Sequence, residues 1–371
     1  MSKHKTIIGV LLAASILLAG LAGCNPKEEN VLRVGVILPM TGTLSVMGQV
    51  EREAMSLALE KVNARGKKME IYFEDGKGNP TDAVSAARKL IDLNKVDVLI
   101  TSTTGASLAV EPIATQNKKN LVAFCMDPDV AKKSDYVIRY YEGIDEEAAG
   151  IMKYFNDNSA QKTVGILYAK VPVWEKVVNN TLLPFLKSKN LPVPYVETYA
   201  LNEKDFKTVV LKMKDAKIDH LILLGYGFEY PGIFKPMSEY ELLGKMRIIG
   251  GWGFLYTPVE PASLNGVLVS GPDYVFKNQE FAGQFYNEYH SRYNRFPNFD
   301  AAFAYNAIMS LGENMNRENA STPIKQIYAN KSGLTGVAGP YSFDANGNMI
   351  VTTGLGMYQD GKITEVTDSQ K

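Results

Sequence analysis

The sequence predicts an α/β protein of two lobes, each a Rossmann-like parallel sheet covered by helices, and three observations carry that expectation. Short β-branched runs alternate with segments of helical period from residue 31 onward, and such alternation makes parallel sheets buried on both faces. The alternation runs through four strands, passes a short extended link at 136–139, and restarts. Beyond Pro272 the order changes to two consecutive helices and a β-rich tail, which suggests that the chain crosses back between the lobes.

The elements follow in order. Residues 31–38 form the first strand, and 48–64 a helix with Val50, Ala54, Leu57, Ala58 and Val62 on one face and Glu51, Arg52 and Glu60 elsewhere. A second strand spans 69–74. Asn79-Pro80 then supplies an N-cap and a first-turn proline for a helix running to about residue 93. The third strand, 96–100, ends in Thr101-Ser102-Thr103-Thr104-Gly105-Ala106, which opens another helix, and 121–125 is the fourth strand. Strands at 163–168, 195–199, 218–224 and 247–250 make the second series. Helices at 279–293 and 298–316 precede the tail, which contains the turn Asp344-Ala345-Asn346-Gly347.

The chain starts with Lys3, His4 and Lys5, and then runs uncharged and mostly aliphatic from 6 to 23. This is an export signal or a membrane anchor. It closes in Leu21-Ala22-Gly23-Cys24, which resembles the lipobox of bacterial lipoproteins and implies a signal peptide over 1–23, a lipidated Cys24 and a polar tether over 24–30. Acyl chains at about 0.8 kcal/mol per buried methylene would then hold the protein on a membrane surface. Lysine plus arginine and aspartate plus glutamate both number 40, with no basic block, so no nucleic-acid partner is expected. Cys125 is the other cysteine of the two and reads as a small buried residue at a strand end.

Catalytic chemistry finds little support. The three histidines lack ligand spacing, so no metal or other cofactor is expected, and neither G-x-S-x-G nor C-x-x-C occurs. Gly225-Tyr226-Gly227 and Gly250-Gly251-Trp252-Gly253 follow strands without completing a phosphate fingerprint, and read as turn geometry. In open α/β sheets a ligand lies beyond the carboxyl ends of the strands. The loops there carry Met47 after the first strand, Thr103, Thr104 and Gly105 after the third, and Asp127 and Asp129 after the fourth. In the second series they carry Trp174, Tyr226, Phe228, Tyr230, Trp252 and Phe254. Hydroxyls and helix-start N–H groups suit a polar or anionic head, and facing aromatics suit a stacking wall for a small molecule.

Several segments carry a family resemblance: Arg33 to Gly42 with Gly48; Glu74-Asp75 to Asn79-Pro80; Ile113-Ala114; Arg292-Tyr293 with Pro297; Ala304-Tyr305-Asn306-Ala307; and Gly339-Pro340 to Asp344 with Gly347. Together they resemble the extracytoplasmic solute-binding proteins of branched-chain amino acid type ABC importers, the leucine/isoleucine/valine-binding family. The resemblance implies the type I periplasmic-binding architecture, with a hinge of three crossings near 139–143, near 270–272 and after Phe343. Lobe I would comprise 31–140 with 273–345, and lobe II 141–272 with 346–371. It implies no enzyme but a monomeric, extracytoplasmic receptor that binds a small solute and delivers it to an ABC permease. A sensor of the same fold coupled to a signalling partner is the alternative.

By the same resemblance, Thr103 and Thr104 would hold a substrate carboxylate. The ammonium would meet groups over 127–129 and an acid in the loop 250–253, where Trp252 stands instead. Two readings stay open: Asp127 or Asp129 supplies the charge for an amine ligand, or the ligand is an aromatic or other flat carboxylate stacked on Trp252, Trp174 and Tyr226. The second is preferred. Whether Tyr140 and Tyr141, at the first crossing, touch ligand is also open, with hinge packing preferred.

Overall fold

A computed structural model describes residues 30–157, 162–257, 261–273 and 283–366. The lipobox, Cys24 and the first four positions of the helix expected from residue 279 lie outside the described residues.

The first sheet holds β1 (Leu32–Leu38), β2 (Met69–Asp75), β3 (Val98–Ser102), β4 (Asn120–Phe124) and β5 (Val137–Arg139), all parallel, in the order β2-β1-β3-β4-β5. Successive side chains of a strand point to opposite faces. Val34, Val36 and Leu38 accordingly join one core cluster with Val50, Ala54 and Met55 of α1 (Ser45–Ala64), while Ile37 joins another. That other face is covered by α2 (Pro80–Asp92) and α3 (Thr104–Gln116) through Ala83, Leu90, Ala106 and Val110. Asn79 accepts from the Asp82 N–H at 3.0 Å, the N-cap that Asn79-Pro80 announced. A short helix, α4 (Asp129–Lys132), follows β4.

The chain then leaves this sheet through 140–143 into α5 (Ile144–Asp157). The second sheet repeats the arrangement with β6 (Val164–Ala169), β7 (Tyr195–Tyr199), β8 (His220–Leu224), β9 (Arg247–Gly250) and β10 (Leu268–Pro272), in the parallel order β7-β6-β8-β9-β10. Its connections include α6 (Pro172–Val177), a wide-turn segment Val178–Leu182, α7 (Leu183–Ser188), α8 (Lys207–Asp215) and α9 (Tyr230–Glu239). Among the described residues both lobes thus share one strand order, whose switch point lies between the first and third strands of each.

After β10 come α10 (Gly283–Tyr293) and α11 (Phe299–Asn314), the latter packed along α1, and then α12 (Ile324–Tyr328). A small antiparallel sheet follows from β11 (Leu334–Gly336), β12 (Gly339–Phe343) and β13 (Met349–Val351), the turn at Gly347 joining the last two. β14 (Thr353–Gln359) adds antiparallel to β10, and β15 (Lys362–Glu365) adds antiparallel to β14. The last crossing, expected after Phe343, therefore falls at Thr352. Residues 346–351 stay with the first lobe, because β13 pairs with β12 and Asn348 accepts from the buried Arg139 guanidinium at 3.0 Å.

Candidate functional site

β1, β3 and β4 end on one side of a narrow cavity, and the loops after β8 and β9 close the other. The cavity is lined in the first lobe by Met47, Glu51, Ser102, Thr103, Thr104, Phe124 and Met126, at the crossing by Tyr141, and in the second lobe by Tyr226 and Trp252. It opens at the switch point of the first sheet, where loops after adjacent strands diverge.

The polar end is built by the turn from β3 into α3. Thr103 has φ 80°, ψ 143° and caps α3 through a long contact from the Ala106 N–H to its Oγ1 at 3.4 Å. A β-branched residue in this left-handed region is strained, and such strain persists where the surroundings impose it. Here Ser107 Oγ bonds the Thr103 carbonyl at 2.8 Å and shares a 2.9 Å hydrogen bond with Thr101 Oγ1, which fastens the turn from beneath. Thr104 Oγ1 accepts from the Met126 N–H at 3.2 Å. Each threonine hydroxyl therefore keeps its proton available for donation.

The aromatic end has a different origin. Gly227 has φ 92°, and a Cβ there would lie 1.9 Å from the Gly253 carbonyl oxygen; one on Gly253 would lie 2.2 Å from that of Gly225. The two glycine turns thus press backbone against backbone, a contact closed to any side chain. That contact brings Tyr226 and Trp252 edge to face with centroids 6.1 Å apart. Glu229 fixes the first turn by accepting from the Tyr226 N–H and the Tyr199 hydroxyl, each at 2.8 Å. Trp252 stacks on Phe299 of α11 at 6.3 Å, and Tyr141 meets both rings edge-on.

The structure brings Met47, Thr103, Thr104, Tyr226 and Trp252 together on the cavity. Trp174 is fully buried behind Tyr226, edge-on at 4.8 Å, and Phe228 stacks on Tyr226 at 5.9 Å, so both support the wall without lining it. Gly105 is exposed and faces Pro80, because it lies one step further round the α3 turn. Asp127 and Asp129 do not line the cavity either: both turn outward to the Lys176 ammonium, at 2.9 Å and 2.6 Å. Tyr230 and Phe254 pack on each other in the core at 4.6 Å. Tyr140 is hinge packing, its hydroxyl donating to that of Tyr341 at 2.9 Å, whereas Tyr141 reaches the cavity. Cys125 is buried and its thiol is pushed up to about 12 by burial, so it is inert.

Sequence reasoning missed Glu51. It sits on the buried face of α1, only 1% exposed, rather than on the solvated face. Its carboxyl is held well above the usual range by burial and then by the neighbouring Asp300 carboxylate, partly offset by a 2.9 Å hydrogen bond from Ser102 Oγ. A signal existed: Glu51 is four residues after Met47, which puts both on one helix face.

Two lobes of one topology, meeting over a cavity with a hydroxyl-lined helix start on one side and stacked aromatics on the other, define a solute-binding protein of the two-lobed class. The chain belongs to the periplasmic binding protein family, whose model matches residues 31–368. It is 24% identical over 362 residues to a Leu/Ile/Val-binding protein homolog of Brucella abortus, covering 93% of each chain. To the Leu/Ile/Val-binding protein of Escherichia coli K12 it is 24% identical over 360 residues, covering 90% of this chain and 93% of that one. Among solved structures it resembles an ABC-transporter solute-binding protein of Rhodopseudomonas palustris in complex with 3,4-dihydroxybenzoic acid. There the TM-score is 0.81, at 20% identity over 91% of this chain and 97% of that one. It also resembles LivJ of Streptococcus pneumoniae in complex with isoleucine, with TM-score 0.78 at 21% identity over 91% and 99%. The fold expected from the sequence is therefore present, and the proteins it resembles bind solutes and are not named as enzymes.

Proposed function

We propose that this protein is a lipid-anchored extracytoplasmic receptor, monomeric, that binds a small amino acid-like or aromatic carboxylate in the cleft and delivers it to an ABC permease. The observation that carries the reading is the cavity itself: Thr103 and Thr104 offer hydroxyl donors at the start of α3, opposite the Tyr226 and Trp252 rings. An anionic head meets donors and a positive helix end there, while an apolar body stacks. Relatives that hold isoleucine and 3,4-dihydroxybenzoic acid support both ligand classes. The run of 6–23 closing in Leu21-Ala22-Gly23-Cys24 supports the anchor.

Lobes that close over a solute present the permease with a surface that the open form lacks. The test is a thermal-shift panel of amino acids, aromatic acids and small polyols. A ligand that binds only the folded state raises Tm with its excess over Kd. A shift by one amino acid or aromatic acid and none by polyols is expected; no shift by any compound overturns the receptor reading.

A further inference from the structure

Glu51 presents the cavity with an unpartnered carboxyl oxygen. Its Oε1 accepts from Ser102 Oγ at 2.9 Å, but Oε2 is fully buried and has no hydrogen-bond partner. A buried carboxylate oxygen left in this way is expensive, and a donor or a positive charge placed against it recovers much of that cost. A second acid stands close by: Asp300, on the first turn of α11 and 1% exposed, accepts from the Tyr141 hydroxyl at 2.6 Å. Against these acids, none of the residues lining the cavity is a lysine, arginine or histidine. A simple carboxylate entering the cavity therefore meets two acids and no cation to offset them, whereas a cationic amine draws Glu51 into its carboxylate form, in surroundings of low dielectric where that attraction is strong.

We infer that Glu51 Oε2 is the counter-charge for a protonated nitrogen on the solute, so that α1 of the first lobe sets the specificity of the site for a ligand that carries a cationic amine. The inference rests on the solute-receptor reading and narrows it. Ser102, which holds Glu51, is followed directly in the chain by Thr103 and Thr104, so the acidic and hydroxyl parts of the cavity adjoin. A head whose anionic and cationic groups are neighbours spans both at once. The charge that Trp252 cannot supply from the second lobe is in this way supplied from the first, and the aromatic wall is left to receive the ligand's side chain.

The experiment is titration calorimetry on the full chain in detergent with matched pairs: phenylalanine against 3-phenylpropanoate, leucine against 4-methylpentanoate, and 4-aminomethylbenzoate against benzoate. The expected result is that the amine-bearing member of whichever pair fits binds at least about 100-fold more tightly, and that Glu51→Gln narrows the difference to less than about 10-fold. Equal or tighter binding of the amine-free member by the native protein overturns the inference without any variant being needed. Unchanged discrimination in a folded Glu51→Gln protein overturns it as well. If no member of any pair binds the native protein while an amine-free aromatic acid outside the pairs does, the receptor reading stands and the inference fails. If nothing binds, both fail.

Discussion

The Lys176 ammonium of the second lobe lies 2.9 Å from the Asp127 carboxylate of the first, and it reaches Asp129 as well at 2.6 Å. The contact bridges the lobes beside the cavity, and the side chains remain partly exposed, Lys176 at 39% and Asp129 at 47%. Exposure limits each pair to about 0–1 kcal/mol and makes it sensitive to salt. If closure is what holds the solute, Lys176→Ala weakens ligand affinity by about 2- to 10-fold at low ionic strength and by less in about 1 M salt. Identical dissociation constants for variant and parent at low salt would dismiss the latch. Lys132 and Lys176 hold the Asp129 carboxyl down at about 2, against 3.8 unperturbed. The folded-state pKa is depressed, so this contribution is complete above about pH 4 and is lost as pH falls toward 2.

Trp252 joins the two lobes through rings, with Tyr226 on one side and Tyr141 and Phe299 on the other. Trp252→Ala should weaken binding of the solute by at least about 1 kcal/mol, and Trp252→Phe by less. The measurement is Kd on protein shown to be folded by circular dichroism, and an unchanged Kd in the alanine variant removes Trp252 from the ligand contact.

Thr103 combines a strained backbone with a cavity hydroxyl. Glycine relieves φ 80° but gives up the hydroxyl and adds chain entropy of about 0.5–1 kcal/mol in the unfolded state. Thr103→Gly is thus expected to hold stability within about 1 kcal/mol of the parent while lowering affinity, and Thr103→Ser to keep most of the affinity. Denaturant titration and calorimetry together separate the two effects; a glycine variant that binds normally shows that the hydroxyl does not touch the ligand.

Burial pushes the Glu147 carboxyl up to about 8 from 4.5, and its Oε2 has no hydrogen-bond partner. Glu142 nearby is raised too, by burial first and then by Glu147 and Glu146. Between 4.5 and about 8 the folded state holds the proton that the unfolded state has lost, so the Glu147 contribution falls as pH rises through that window and is gone above it. Buried His220, lowered to about 4 from 6.5 first by burial and then by Lys162, acts in the opposite sense, destabilising as pH falls below 6.5. Glu147→Gln should raise Tm more at pH 8 than at pH 5. A constant Tm difference across that range would mean that Glu147 does not titrate as stated.

Cys24→Ala should move the protein from the membrane fraction to the soluble fraction of cells that express it, because the proposed anchor consists of acyl chains on that residue. Retention in the membrane fraction would leave the run 6–23 as the anchor instead.

Much of the fold was legible because its signals are local. Residues 69–74, 195–199 and 247–250 coincide closely with β2, β7 and β9, and the Asn79-Pro80 start of α2 is set by neighbours in the chain. The late change of order was legible too, although the crossing at Thr352 was not, since the pairing of β13 with β12 depends on a partner far from the turn that announces it. Within the site, Thr103, Thr104, Tyr226 and Trp252 could be named because the ends of parallel strands are where such folds bind. Asp127 and Asp129 could not be placed correctly, because the cation that turns them outward comes from α6, in the other lobe.

What the sequence determined by itself is the alternation of strand and helix, the strand-end loops and the family, all of which follow from periodicity and motif. What only the tertiary structure decided is which charges face the cavity. Glu51 reads as one more solvated acid on a helix until α11 packs along α1 and buries it beside Asp300. Burial is a property of what lies opposite a residue, and that neighbour is some 250 positions away in the chain.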